Sequence, residues 1–139
     1  MILPELSILK NYRNPQVISY FCHHHPEFSL DDAQVVFEDL LAWLWLNKHR
    51  ELMGKKTYLF GSLLILDEMW HSFILHTREY IDFSIHYFAT YYHHDIEPIG
   101  FEYILEEAEL SEFIQDCFKY LETGWVERRF ANALESSQK

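Results

Sequence analysis

The sequence predicts an all-α protein, a compact bundle of about five to six helices folded as a single domain over residues 1–139. Three observations predict it. Apolar residues recur at helical spacing through long windows, and nothing alternates with period two for long enough to argue a strand. Glycine and proline number four each and fall between the periodic segments, as bundle punctuation does. Half of the 139 residues are hydrophobic and 17% are aromatic, enough for one dense core.

The elements follow in order. Asn14 before Pro15 predicts a helix start, a capping side chain followed by a proline whose missing N–H costs nothing in the first turn. That short helix carries Val17, Ile18, Tyr20 and Phe21 and ends near His23–His25 and Pro26. Ser29 caps the next helix, "LDDAQVVFEDLLAWLWLNKHREL", with Asp31 and Asp32 at its positive dipole end and Lys48, His49 and Arg50 near its close. Ala33, Phe37, Leu40, Leu41 and Leu44 form its expected buried stripe, and Gly54 ends it. Ser62 is the expected cap of a third helix, unbroken to about Phe88. Its apolar face runs Leu63, Leu66, Trp70, Phe73, Ile74, Thr77, Tyr80, Ile81, Ser84 and Tyr87. After "TYYHHDIEPIG", the segments "FEYILEEAEL" and "SEFIQDCFKYLE" read as one bent helix or two short ones. Gly124 is the expected stop, and "WVERRFANAL" adds a last turn or two.

Charge narrows the partners. Twenty-two acids against eleven bases give a net charge of −11, which repels phosphate backbones and anionic membranes. No nucleic acid and no membrane partner is expected. Ten of the acids fall between Asp95 and Glu127, against the single base Lys119. Cys22 and Cys117 show no metal spacing. No apolar run reaches spanning length, and the start "MILPELSILK" lacks a basic leader. A cytoplasmic protein with free thiols is expected, with secretion by a route lacking a cleavable signal left open.

The stretch "LDEMWHSFILHTREY" is where chemistry is most plausible. Asp67 and His71 are four apart and share a helix face, as do Asp82 and His86. Glu68 and His71 make a Glu-x-x-His spacing, but di-iron bundles need two such motifs and this chain has one. No His-Glu-x-x-His occurs. His71 and His86 would lie roughly 22 Å apart along one helix, too far to share an ion. A mononuclear site would therefore need Asp67 and His71 to be met by His93, His94 or one of His23–His25 from another segment. Carboxylate with neutral imidazole suits zinc or ferrous iron. The structural alternative is a hydrogen-bonded Asp67–His71 core tie beside Trp70.

From Leu66 to Pro98 the chain also resembles the glycine-rich-domain-containing-protein-like family. The resemblance rests on Asp67, Trp70, His71, the triplet Phe73-Ile74-Leu75, Thr77, Tyr80, Phe83, His93, His94 and Pro98, with "FEDLLAWLWL" upstream. It implies a helical domain in which Asp67, Trp70, His71 and the His93–His94 pair converge, with Thr77 and Tyr80 in the same structural motif. Ser84 stands where relatives often carry cysteine, and the step from His94 to Pro98 is longer. The resemblance implies no reaction.

Two functions compete. The first is a non-enzymatic acidic module, a regulator or inhibitor that docks on a protein with a basic surface and dimerises when free. Its docking face would be Glu102, Glu106, Glu107, Glu109 and Glu112, with Tyr91, Tyr92 and Trp125 as aromatic anchors. It needs no cofactor. The second is an iron- or zinc-binding protein, or a metal-dependent enzyme, built on Asp67, His71 and His93 or His94.

Overall fold

The computed structural model describes residues 2–95 and 106–137, with side chains described through Phe130. All regular structure among them is helical. The order is α1 (Leu6–Leu9), α2 (Pro15–His24), α3 (Leu30–Leu52), a 3-10 turn (Gly61–Leu63), α4 (Leu64–Leu75), α5 (Thr77–Phe88), α6 (Glu107–Tyr120) and α7 (Thr123–Ser137). No strand occurs among the described residues, and none of their helices is long and apolar enough to cross a membrane.

The two N-terminal start signals act as their chemistry requires. The Asn14 side chain accepts from the Val17 N–H with Pro15 at the first helical position, and the Ser29 hydroxyl accepts from the Asp32 N–H. Gly54 takes φ +73° just beyond α3, a conformation that other residues adopt only at a cost. Helix α3 is the axle of the bundle, packed against α1, α2 and α4. The expected stripe is buried, and Val36, Ala42, Trp43 and Leu46 are buried beside it, so α3 is enclosed on more than one face. The buried side chains form one connected cluster drawn from α1 through α7.

Three expectations change. The third helix is not continuous: His76 takes φ −86° and ψ 68°, which ends α4, and α5 begins at Thr77. The bend lets the Trp70 indole donate to the Tyr80 hydroxyl at 3.0 Å, whereas ten residues along a straight helix span about 15 Å. Exposed Thr77 and Ile81 consequently leave the apolar face. Ser62 does not cap a helix, because its hydroxyl donates to the Arg129 carbonyl of α7. Gly124 is not a stop but the second residue of α7, and the break comes at Glu122 with φ +80°.

Charge also enters the core. Asp39 on α3 is 1% exposed, its carboxylate gripped by Arg128 through Nε at 3.0 Å and Nη2 at 2.6 Å. Arg129 Nε lies 3.1 Å from the same carboxylate but out of hydrogen-bond alignment, leaving that buried N–H unpartnered. Burial pulls the Arg129 guanidinium below its ordinary range, and nearby Arg128 adds to the effect against the attraction of Asp39.

Candidate functional site

Helix α4 places Asp67, Trp70 and His71 on one face, and the segment after α5 brings the fourth member. Ala89 adopts a left-handed conformation, φ 65°, which closes α5 and turns the chain back. Tyr92 then anchors it. The Tyr92 hydroxyl donates to the Leu44 carbonyl and accepts from Asn47, both at 2.8 Å. The Tyr80 hydroxyl accepts from Trp70 and donates to the Tyr92 carbonyl at 2.5 Å. The turn is thus tied to α3, α4 and α5 two residues before His94.

His94 lands on Trp70, the rings stacked at 4.0 Å and 29°. Its Nε2 lies 2.6 Å from Asp67 Oδ1, and His71 Nε2 lies 3.4 Å from Asp67 Oδ2. The two imidazoles stand 4.9 Å apart between centroids. One donor atom from each of Asp67, His71 and His94 falls within a 4.8 Å cluster. The cluster opens on a pocket of about 550 Å³ walled by Trp43, Leu59 and Leu64 and edged by Lys55 and Lys56.

The electrostatics agree with the geometry. Partial burial alone would raise the Asp67 carboxyl, but the His94 hydrogen bond and the charges of His71 and His94 outweigh it, and the net shift is downward. Burial would lower the His94 imidazole. Its hydrogen bond and attraction to Asp67, helped by local backbone bonds, outweigh burial and hold it above the ordinary range.

The expected ligands sort cleanly. His94, not His93, completes the cluster: His93 is exposed and packs edge-on against Tyr91 at 4.9 Å. The Asp67–His71 pair is present, but His71 stays more than half exposed, so the buried tie to Asp67 is made by His94. Thr77 sits exposed at the start of α5, outside the motif, whereas Tyr80 is fully buried within it.

The acidic face is less coherent. Glu106, Glu107, Glu109 and Glu112 are exposed, while Glu102 lies outside the described residues, as does Pro98. Glu107 and Glu109 occupy the first turn of α6, where acids complement the helix dipole. Glu109 accepts from Tyr58, and Glu112 pairs with Lys55 at 2.5 Å. Two anchors fail outright. Tyr92 and Trp125 are 1% and 2% exposed, Trp125 donating to the Asp39 carbonyl, because their polar tips find partners inside the fold. Tyr91 alone remains exposed.

Sequence reasoning missed Asp39, Trp43, Lys55 and Lys56. Asp39 carried a weak signal, the second of two adjacent acids at the head of the apolar run "FEDLLAWLWL". The lysines carried none, since only the fold brings the 54–59 segment beside α4. His49 lies in the last turn of α3, as expected, and its ring also stacks 5.1 Å from Trp45 at 7° and packs tilted against Tyr120 at 4.4 Å.

A family model, UCP032817-like, matches residues 5–121, which takes in α1 through α6 and every member of the cluster. The chain belongs to the UCP032817-like family. No curated protein and no solved structure matches it. The resemblance to glycine-rich-domain-containing-protein-like domains is therefore corrected: the run from Asp67 to His94 lies inside a UCP032817-like domain.

Proposed function

We propose that this UCP032817-like protein binds one divalent transition metal, zinc or ferrous iron, through Asp67, His71 and His94. One observation carries the reading: a carboxylate and an imidazole of α4 and a second imidazole from the turn after α5 bring donor atoms within 4.8 Å of one another beside a pocket. Tetrahedral zinc with Zn–N bonds near 2.05 Å sets neighbouring donors about 3.3 Å apart. The 3.4 Å Asp67–His71 separation already suits that edge. The 2.6 Å Asp67–His94 hydrogen bond would open modestly as the ion displaces the shared proton. Three protein ligands leave positions for water or substrate, where such an ion acts as a Lewis acid or lowers the pKa of bound water. Trp70 orients His94 by stacking, and Tyr80 and Tyr92 orient the turn that carries it.

The competing reading is a core tie, in which the same hydrogen bond is purely structural. Elemental analysis of tag-free protein separates the two. About one zinc or iron per chain is expected, lost in Asp67→Asn and His94→Gln but retained when His23, His24 and His25 are all replaced by Asn. Substoichiometric metal that these substitutions leave unchanged overturns the proposal. A docking function has weaker support, since two of its three aromatic anchors are buried and Glu112 is paired within the fold.

A further inference from the structure

A second groove, of about 540 Å³, lies away from the Asp67 cluster, where Tyr12 of the α1–α2 connection meets α5. Glu79, Asp82, Phe83, His86 and Tyr87 line it at positions i, i+3, i+4, i+7 and i+8 of one helix face, with exposed Ile85 at its edge. Tyr12 and Tyr87 are half-buried and nearly perpendicular, their centroids 6.0 Å apart at 82°. Phe83 closes the base, 4.9 Å from Tyr12 and 5.2 Å from Tyr87. Three rings thus bound a concavity that also carries two carboxylates and no lysine or arginine.

We propose that this groove binds an organic cation headed by a methylated ammonium group. Aromatic faces attract cations through their quadrupoles, and a methylated ammonium sheds its hydration cheaply, which suits a wall of rings. Carboxylates without a lysine or arginine beside them supply the rest of the attraction. Among the described residues, neither Glu79 nor Asp82 has a lysine or arginine partner. Both act on the groove wall: the Tyr12 hydroxyl is raised first by burial and further by the charges of Glu79 and Asp82, against a hydrogen bond from Asn14. An inorganic divalent ion would gain nothing from the rings, and a neutral apolar ligand nothing from the acids. The combination selects a cation that is large and weakly hydrated.

The test is a titration followed through the ring resonances of Tyr12 and Tyr87. The probes are choline, its neutral isostere 3,3-dimethylbutanol, a trimethyl-lysine peptide and magnesium chloride. Choline or the peptide should shift both rings saturably, and whichever binds tighter identifies a free metabolite or a modified side chain as the source. The isostere should bind about tenfold more weakly, as should choline to Tyr87→Leu and to the Glu79→Gln/Asp82→Asn double variant. Their melting temperatures serve as the folding control. Equal binding of the isostere would make the site a plain apolar groove. Shifts reproduced by magnesium would reduce it to an acidic surface, and no saturation by choline or peptide removes it altogether.

Discussion

Asp67 faces two imidazoles at once, and its ionisation bears on stability as well as on metal binding. With a chelator present, the Asp67–His94 bond is the relevant interaction. Asp67 is lowered from 3.8, so its contribution exists above that value and is lost as pH falls through the depressed folded pKa. His94 is raised from 6.5, so its contribution is complete below that value and fades as pH rises through the elevated folded pKa. Both conditions hold between pH 3.8 and 6.5. The melting-temperature gap between the native chain and Asp67→Asn is therefore expected to be widest in that window and to shrink in alkaline buffer. A gap that is flat across pH 4–9 would mean that the pair contributes no ionic stabilisation. Tyr80 offers a second test. Its hydroxyl is buried between the Trp70 indole and the Tyr92 carbonyl, and Tyr80→Phe strands both partners. A loss of about 2–6 kcal/mol is expected in denaturant unfolding, since each of the two orphaned buried groups costs about 1–3 kcal/mol.

At the scale of elements, the site depends on how α4 and α5 are joined to the turn after them. Tyr80→Phe should also weaken metal binding about tenfold by calorimetry, through the loosened His94 turn, although Tyr80 touches no donor atom; Ser84→Ala, buried on the same helix, should leave affinity unchanged. Where one element's own residues decide its structure, the sequence was legible. Asn14–Pro15 and Ser29 start α2 and α3 through local hydrogen bonds, and Gly54 lies just past the end of α3 because its backbone conformation is local too. The break at His76 was not legible, for no proline or glycine marks it. What favours the bend is a hydrogen bond between Trp70 and Tyr80, formed only once the two helices pack. The site divides along the same line. Asp67 and His71 share a helix face and could be paired by spacing alone. The choice of His94 over His93 depended on Tyr92 being buried, which in turn depends on Leu44 and Asn47 of a helix some forty-five residues earlier. The acid count was legible as well, but composition cannot tell an open docking face from glutamates satisfied by a dipole, a tyrosine and a lysine.

For the whole molecule, the question is what holds α7 to the bundle, since the family match ends at residue 121 and α7 begins at Thr123. Apolar burial of Trp125, Val126 and Phe130 supplies one attachment, and the Asp39 carboxylate supplies the other. A buried carboxylate costs several kcal/mol to desolvate and is tolerated only with good partners. Arg128 is such a partner, meeting both oxygens in a forked pair. Arg129 is not. It is buried, misaligned, and shifted downward by that burial. The two neighbouring arginines should consequently respond unequally to the same change. Arg128→Met is expected to cost about 1.5–3 kcal/mol, the range for a hydrogen bond to a charged group, because it leaves Asp39 without its fork. Arg129→Met keeps the packing stem while removing a poorly paired buried charge, and should fall within about 1 kcal/mol of the native chain on either side. Asp39→Asn should cost about 3–5 kcal/mol in the native background and much less beside Arg128→Met, since the pair is then already broken. Urea unfolding of the four variants closes the cycle. Equal losses for the two arginines would show that α7 is held by net charge near Asp39, with hydrogen-bond alignment counting for nothing.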